Sequence, residues 1–280
     1  MSEDLPRLAA EAFRLSRSLC GPCQNYHSLW TYQRIVGASG GDVGTPEVNS
    51  VLGRLLSFPG REVLIAGSAD TGLLASVFDV APSDCRIVVL DQCETPLKLC
   101  RQLGERLRRQ ITTFKMNLAQ MPFQEQFDVI LAHSLLQYIA PNDRLEALRR
   151  MSRALRRPDG RLVLVFRTSD RIEGELLDEY RIGYAANVVD QLQALNIPLP
   201  ESRDHFQRQV EIYAEERRTR EGAHTSLKEI QELVSNAGFV VKDLRQIEAI
   251  QTKPFREFAN KISKKRFLMV AKPCMKNRIR

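Results

Sequence analysis

The sequence predicts an α/β fold with a doubly wound, mostly parallel sheet, extended by N-terminal helices and a helical insertion. The first supporting observation is size: 280 residues, 43% of them hydrophobic, suit one large domain with appendages. The second is that short β-branched runs alternate with helical patterns from Val63 to Val165, which is typical of a parallel sheet covered by helices. The third is a change of pattern after residue 225, where a capped helix precedes two runs too close in sequence for a helical crossover.

The alternating region contains five predicted strands and the helices between them. Strands are predicted at 62–66, 86–91, 112–117, 128–133 and 161–167. Helices are predicted at 72–80, 94–109, near 135–139 and at 144–156, the last ended by the turn Pro158-Asp159-Gly160.

Further helices flank this region on both sides. Helical patterns cover 3–18, 23–36 and 46–57, and again 170–222 with a break at 195–200. The 58 residues from 168 to 225, between the fifth strand and the helix that precedes the sixth, exceed a plain crossover and indicate an inserted cap. Ser226 and Glu229 form a capping box, and the last two strands are predicted at 239–247 and 266–272 as antiparallel neighbours. We therefore divide the chain into an N-terminal helical lid (1–58), a ligand-binding core (59–168), a helical cap (169–225) and a closing segment with a basic tail (226–280).

The net charge of +7 is concentrated at the C-terminus. From Lys253 to Arg280 there are ten Lys or Arg and one Glu, which leaves the preceding residues at −2. Such a tail can contact phosphates or be simply solvated, so nucleic-acid binding is not the favoured interpretation. No apolar run reaches the roughly 18 residues of a membrane span. The chain starts with acidic residues and shows no signal-peptide pattern. We therefore expect its six cysteines to be reduced, in a cytoplasmic setting.

The segment Cys20-Gly-Pro-Cys23 has the spacing of a redox pair or of half a zinc site. A redox pair is expected just after a strand, whereas this segment lies in a helical region. No second Cys/His pair follows at zinc spacing. We therefore interpret it as two ordinary thiols at a helix break, and predict no metal site.

Small residues follow the first strand, and an acid ends the second. The turn reads Ala66-Gly-Ser-Ala-Asp-Thr-Gly72, and Asp91 comes about 20 residues later. Small residues let backbone N–H groups approach a ligand, and a carboxylate at that place can accept both hydroxyls of a ribose. The pair indicates a nucleoside-bearing ligand, although the glycines alone would fit any tight strand-to-helix turn.

With these residues the chain resembles the class I S-adenosylmethionine-dependent methyltransferases. The segments that carry the resemblance are REVLIAGSADTG, CRIVVLDQCETPLKLCR, FKMNLAQMPF, FDVILAHSLLQYI and LRRPDGRLVLVFR, with SNAGFVVKDL and RFLMVAKP as a closing pair of strands. The resemblance implies a seven-stranded sheet whose last strand is antiparallel. The chain departs from the family pattern at Ile65, Ala69 and Asn117, where an acid, a glycine and an aspartate are common.

The resemblance implies S-adenosylmethionine as cofactor and assigns residues to it. Gly67, Ala69 and Gly72 would line its methionine and ribose, and Asp91 would hold the ribose hydroxyls. The other positions predicted to contact the cofactor are Ser68, Asp70, Gln92, Asn117, Leu118 and His133, of which Asn117 and Leu118 would flank the adenine.

Two histidines are candidate catalytic residues. Methyl transfer from a sulfonium mainly requires alignment of the nucleophile, and a base helps a hydroxyl or ammonium acceptor. His133 ends the fourth strand where the methyl group would emerge, or it is equally a capping or core-edge residue. His27 is the second candidate. The segment Ala132-His-Ser-Leu135 lacks the Asn/Asp-Pro-Pro-Tyr motif of amino-methylating family members, which argues against base or glutamine amides as acceptors.

The candidate acceptor-binding residues come from the flanking helices and the fifth strand. Aromatic residues of the 23–36 helix would lie near the sulfonium by cation–π attraction, or else only pack on the core. An arginine could hold an acceptor carboxylate by a bidentate contact, or serve as a surface ion pair. The predicted set is Tyr26, Trp30, Arg34, Arg167, Tyr180 and Tyr184.

Together these features predict methyl transfer to a small-molecule acceptor, in which an oxygen or a carboxylate receives the methyl group. A homodimer is a possible assembly of the chain. One alternative is an RNA methyltransferase that uses the basic tail. Another is a non-catalytic scaffold with the same fold. A nicotinamide oxidoreductase is disfavoured because its turn would read G-x-G-x-x-G, unlike residues 67–72.

Overall fold

The computed structural model describes residues 4–40, 43–168, 175–221, 226–248 and 265–274, with side chains described outside 175–182 and 217–221. Within these residues the chain forms one seven-stranded sheet in the order β3-β2-β1-β4-β5-β7-β6. β7 runs antiparallel to both of its neighbours, and the other pairings are parallel, as predicted. The strands are β1 (Glu62–Ala66), β2 (Arg86–Asp91), β3 (Ile111–Lys115), β4 (Val129–His133), β5 (Arg161–Thr168), β6 (Phe239–Ile247) and β7 (Lys265–Pro273).

Helices cover both faces of the sheet and form an additional layer. They are α1 (Leu5–Leu19), α2 (Gln24–Ile35), α3 (Pro46–Leu55), α4 (Gly72–Val80), α5 (Glu94–Leu107), α6 (Pro141–Ala154), α7 (Glu175–Ala194), α8 (Arg203–Glu221) and α9 (Leu227–Asn236). Both short 3-10 turns, Leu118–Gln120 and Leu136–Tyr138, follow strands at one edge of the sheet. None of the described helices combines the length and apolarity that a membrane crossing needs.

The sheet has a separate apolar core on each face, because its central parallel strands are buried on both sides. One core joins the sheet to α6 and α9, and the other joins it to α3, α4 and α5. α9 begins with the predicted capping box, in which Ser226 Oγ accepts from the Glu229 backbone N–H at 3.2 Å.

A third apolar cluster belongs to helices α1, α2, α7 and α8 and contains Phe13, Leu29, Val188 and Phe206. The N-terminal helices and the inserted helices therefore pack against each other as one layer. α3 is not part of it, since Val48 and Leu52 are buried on the sheet with α4. The region 1–58 thus divides between this helical layer and the core.

Most predicted element boundaries are confirmed to within a few residues. β3 ends at Lys115, two residues early, because Asn117 Oδ1 accepts from the Ala119 N–H at 2.9 Å and starts a 3-10 turn. α6 begins at Pro141, three residues early, because proline suits the first helical position.

Some sequence predictions lie outside the described residues. Most of the basic tail, at 253–264 and 275–280, is in this group, as is the side chain of Tyr180. The antiparallel neighbours β6 and β7 are described, and they close the sheet at the side remote from β3.

Candidate functional site

A cavity of about 490 Å³ lies at the carboxyl ends of β1, β2, β3 and β4. The chain order of the sheet reverses between β1 and β4, so the cavity lies at the topological switch point where α/β sheets bind ligands. Its walls come mostly from the strand ends and the turns after them, and from α2 and the loop before it. The lining residues are Leu19, Gly21, Pro22, Cys23, Tyr26, His27, Trp30, Val43, Gly67 to Asp70, Leu73, Leu90 to Cys93, Lys115, Met116, Leu118, His133 to Leu135, Tyr138 and Ile139.

The turn after β1 brings backbone close to the cavity. Gly67 has φ +78°, a left-handed conformation that favours glycine, and its N–H donates to the Leu90 carbonyl at 2.7 Å. A Cβ atom at this position would lie 2.6 Å from Leu135 Cδ1. The absence of a side chain therefore makes room for Leu135, which also lines the cavity.

Asp91 is held at the tip of β2 by two backbone donors. Its Oδ2 accepts from the Ser68 N–H at 2.9 Å and its Oδ1 from the Cys93 N–H at 2.7 Å. Burial raises the pKa of Asp91, against the opposing effects of nearby His27 and these two hydrogen bonds. Each carboxylate oxygen keeps a further acceptor position, so a fixed carboxylate can receive two adjacent hydroxyls from a ligand.

Asp70 lies in the same turn but is committed to the protein. Its carboxylate accepts from Arg34 Nη1 at 2.8 Å, from Thr31 Oγ1 at 3.0 Å and from the Gly72 N–H at 2.8 Å. A Cβ at Gly72 would lie 2.0 Å from Arg34 Nη1, so this glycine makes room for the ion pair, and it is not among the cavity-lining residues. The geometry thus assigns Arg34 to the attachment of α2, in place of the predicted contact with an acceptor carboxylate.

Four metal-ligating side chains converge at the cavity wall. The ligand atoms of Cys20, Cys23, His27 and Cys93 all lie within 4.8 Å of one another. His27 and Cys93 are buried, and His27 Nδ1 lies 3.1 Å from the Ala69 carbonyl oxygen. The sequence interpretation of two ordinary thiols missed this cluster, because Cys93 is 70 residues from Cys23 and only the fold brings them together. The spacing Cys-x2-Cys-x3-His was the available signal.

Protonation within the cluster is uneven. Cys20 Sγ lies 3.1 Å from both Cys93 Sγ and Thr95 Oγ1. Hydrogen bonding from Cys20 lowers the pKa of Cys23 to about 3 and also lowers that of Cys93, while the pKa of Cys20 itself is raised. Burial disfavours a charged His27, yet its hydrogen bond to Cys93 raises its pKa. The cluster therefore favours thiolates at the two cysteines that cap α2 and α5.

An aromatic group lines the cavity beside α2. The Tyr26 ring lies 5.3 Å from Trp30, 5.1 Å from Tyr138 and 6.1 Å from Tyr213, measured between ring centroids. Tyr26, Trp30 and Tyr138 face the cavity, whereas Tyr213 from α8 is buried behind them. Sequence reasoning identified Tyr26 and Trp30 but missed Tyr138 and Tyr213, which come from a 3-10 turn and from the insertion.

The other predicted residues divide into two groups. His133 at the tip of β4, Gln92 and Leu118 line the cavity, as do Ser68 and Ala69. Three others are not among its lining residues: Asn117 caps a 3-10 turn, Arg167 lies near the end of β5, and Tyr184 is buried with its hydroxyl donating to Gln33 Oε1 at 2.5 Å. For Asn117 and Tyr184 the structure indicates structural roles, because Asn117 Oδ1 and the Tyr184 hydroxyl are hydrogen-bonded within the protein. Met116 and Lys115 line the cavity near the predicted position of Asn117.

Comparison with known proteins identifies a recognised domain. Residues 65–164 match a family model described as a methyltransferase domain. A carboxy-S-adenosyl-L-methionine synthase from Pseudomonas putida is 30% identical over 155 residues, which cover 51% of this chain and 61% of that protein. The chain thus spans about three fifths of the length of this curated relative.

Solved structures share the fold at low sequence identity. A 1,6-didemethyltoxoflavin-N1-methyltransferase from Burkholderia thailandensis aligns with a TM-score of 0.55 at 16% identity, covering 98% of this chain and 92% of that one. A SAM-dependent methyltransferase from Aquifex aeolicus aligns with a TM-score of 0.51 at 12% identity, covering 86% and 96%. At such identities the likeness extends to the fold alone.

Proposed function

We propose that the chain is a class I S-adenosylmethionine-dependent methyltransferase that transfers a methyl group to a small-molecule acceptor, a proposal supported by the methyltransferase-domain match at residues 65–164 and by the Pseudomonas putida relative. The observation that carries the proposal is Asp91, fixed by the Ser68 and Cys93 N–H groups at the switch point of the sheet. This is the place and the geometry in which a carboxylate holds the two hydroxyls of a ribose.

The residues present fit the cofactor. A volume of about 490 Å³ lies within the range of small-molecule pockets. Asp91 would hold the ribose, Met116 and Leu118 would contact the adenine, and the Gly67 turn would admit the methionine portion. When bound, S-adenosylmethionine supplies a methyl group already activated on a sulfonium. The solved structure of the Burkholderia thailandensis enzyme contains bound S-adenosylhomocysteine, which supports a ligand of the same class for this chain.

Tyr26 and Tyr138 are placed to favour a positively charged ligand. Both rings line the cavity and lie 5.1 Å apart, on the side formed by α2 and the turn after β4. Ring faces attract a cation by about 0.5–2 kcal/mol, depending on desolvation. We therefore assign to these side chains the discrimination between the sulfonium and the neutral thioether product.

The proposed acceptor atom is an oxygen, in a hydroxyl or a carboxylate. His133 lines the cavity at the tip of β4, beside Ser134. A histidine there can accept the proton of a hydroxyl as its oxygen is methylated, and a carboxylate needs no base. The remaining requirement is alignment and exclusion of water, which suits a cavity with mostly apolar and aromatic walls.

We further propose that the layer of α1, α2, α7 and α8 acts as the lid of this cavity. α2 supplies Tyr26, His27 and Trp30 to its wall, and α8 supports Tyr26 from behind through Tyr213. The lid would therefore combine the predicted lid (1–58) and cap (169–225), except that α3 belongs to the core.

A second candidate reaction is suggested by the name of the Pseudomonas putida relative, a carboxy-S-adenosyl-L-methionine synthase. In that alternative a carboxyl group from a co-substrate would replace one hydrogen of the cofactor's methyl group, and the proton lost from the methyl group would pass to the remainder of the co-substrate. Lys115 is a cationic side chain of the cavity wall that could attract a carboxylate-bearing co-substrate.

Calorimetric titration tests the cofactor proposal. S-adenosylmethionine and S-adenosylhomocysteine are expected to bind and NADH is not. Asp91→Asn is expected to weaken binding by about 10-fold to 100-fold, since a hydrogen bond to a charged group contributes roughly 1.5–3 kcal/mol. The control Asp159→Asn changes an exposed carboxylate at the opposite edge of the sheet and is expected to bind as the wild type does.

Failure of the folded wild-type protein to bind either compound would contradict the proposal and favour the non-catalytic alternative. Mass spectrometry of the small molecules that copurify with the protein separates the two reactions. Carboxylated cofactor would favour the second candidate, whereas S-adenosylmethionine or S-adenosylhomocysteine would favour methyl transfer.

A further inference from the structure

The strongest feature that methyl transfer leaves unexplained is the cluster of Cys20, Cys23, His27 and Cys93. All four ligand atoms lie within 4.8 Å of one another, although they come from three separate elements. Cys20 caps the end of α1, Cys23 caps the start of α2, His27 lies one turn further along α2, and Cys93 caps the start of α5. Three thiols and one imidazole that lie this close together exceed what packing or a single disulfide requires.

We propose that these four side chains bind one Zn²⁺ ion, in a tetrahedral Cys3His site that fastens α2 to the cofactor-binding turn. Structural zinc sites use this ligand set, with a short Cys-x2-4-Cys element as one half. Here Cys20 and Cys23 form that half, and the fold supplies His27 and Cys93 as the other.

The dimensions fit a single ion. Zinc–sulfur bonds of about 2.3 Å in a tetrahedron separate two sulfurs by roughly 3.8 Å, and Cys20 Sγ and Cys93 Sγ lie 3.1 Å apart. Small outward movements of these side chains would admit the ion. An iron–sulfur cube would need its cysteines farther apart, because each binds a different iron. Calcium and magnesium are excluded as resident ions by their preference for oxygen ligands.

The surroundings supply the hydrogen bonds expected around zinc ligands. With a proton on Nδ1, His27 donates to the Ala69 carbonyl at 3.1 Å, which leaves Nε2 with the lone pair for the metal. Thr95 Oγ1 lies 3.1 Å from Cys20 Sγ and can donate to it. The N-termini of α2 and α5 place positive helix-dipole ends at Cys23 and Cys93, which offsets the negative charge of three thiolates.

A bound ion would act on the cavity through neighbouring residues. His27 reaches the Ala69 carbonyl in the turn, and Cys93 N–H donates to Asp91, which also accepts from Ser68. Four protein ligands complete the coordination of zinc, so the site is structural, and no open position is assigned to substrate. Its expected effect is to hold Tyr26 and Trp30 in the cavity wall.

Metal analysis of the full-length protein, purified with reductant and zinc in the medium, tests this site. The wild type is expected to hold about one zinc per chain. Cys93→Ser and Cys20→Ser are expected to weaken zinc affinity by at least about 10-fold, measured by competition with a chromophoric chelator. Cys274→Ser is the matched control, since that thiol lies outside the cluster, and it should retain the zinc.

Cobalt substitution gives a second readout that does not depend on the stability of the variants. Metal-free wild-type protein reconstituted with Co²⁺ should show the visible and thiolate charge-transfer absorption of a tetrahedral thiolate site. A zinc-free wild-type protein without that spectrum would overturn the proposal, as would zinc retained equally by Cys93→Ser and Cys274→Ser. A disulfide among Cys20, Cys23 and Cys93 in metal-free protein, found by mass spectrometry under reducing purification, would overturn it in favour of a redox pair. Binding of S-adenosylmethionine is measured separately, so the two proposals can fail independently.

Discussion

Arg34 of α2 and Asp70 of the turn after β1 form a buried ion pair, with 2.8 Å between Nη1 and Oδ1. The side chains are 11% and 4% exposed, and Thr31 adds a second hydrogen bond to Asp70. The pair joins α2, which packs outside the sheet, to the turn after β1, which lines the cavity. Gly72 allows the approach, because any side chain there would collide with Arg34.

Arg34→Ala should therefore be strongly destabilising. Removing one partner of a buried ion pair leaves the other charge unpaired and costs about 3–5 kcal/mol of unfolding free energy. Affinity for S-adenosylmethionine should also fall, since the turn loses its attachment to α2. Denaturant unfolding and calorimetry measure the two effects. Arg150→Ala, which removes a half-exposed pair with Glu146 on α6, should cost no more than about 0.5 kcal/mol. Equal losses in both variants would contradict the structural role of Arg34.

Gly67→Ala should destabilise the protein by about 1–2 kcal/mol, because φ at this position is +78° and favours a residue without Cβ. The new Cβ would also press on Leu135 Cδ1 and narrow the cavity, so cofactor affinity should fall in the same variant. Gly53→Ala in α3 is the matched control: it has open space around its Cβ, and it should stabilise by up to about 1 kcal/mol. Thermal unfolding measures whether each substitution raises or lowers the stability of the protein. A Gly67→Ala variant more stable than the wild type would show that the turn is not constrained as described.

Tyr138→Leu should weaken S-adenosylmethionine binding more than S-adenosylhomocysteine binding. Loss of a cation–π contact costs about 0.5–2 kcal/mol, which corresponds to about 2-fold to 30-fold in affinity for the sulfonium alone. The neutral product serves as the internal control in the same calorimetric experiment. Phe58→Leu, at an exposed side chain remote from the cavity lining, should change neither affinity. A parallel loss for both ligands would assign Tyr138 to packing.

Asp128→Asn should lower stability in a pH-dependent way. Burial raises the pKa of Asp128, but hydrogen bonds from the Glu62 N–H and from Arg61, with the charge of Arg156, lower it overall. A carboxyl with a lowered folded-state pKa contributes stability above its unfolded pKa of about 3.9, and that contribution is lost as pH falls through the folded value.

At pH 7 the variant should therefore be less stable by roughly 1.5–3 kcal/mol, and the difference from wild type should shrink below about pH 4. Denaturant unfolding curves recorded at several pH values from about 3 to about 7 measure this difference in stability. Asp159→Asn, at an exposed turn, should follow the wild-type curve throughout. A difference that grows on acidification would reverse the assigned sign.

The sequence alone determined the architecture of the sheet, because its signals are local. The buried runs of β1 and β4 predict two strands, and the capping box at Ser226 predicts the start of a helix. Each of these patterns is contained in fewer than about ten residues. The sequence also predicted that the Gly67 turn and Asp91 follow strand ends and so meet at one edge of the sheet, where both line the cavity.

The tertiary structure alone decided which side chains meet across that edge. Arg34 was predicted to bind substrate, yet it pairs with Asp70 because α2 packs over the turn. Tyr138 and Tyr213 enter one aromatic group from segments 75 residues apart, and Cys93 joins Cys20, Cys23 and His27 from another strand end. Such contacts depend on how helices dock on the sheet through dispersed apolar surfaces, and no short stretch of sequence encodes that arrangement.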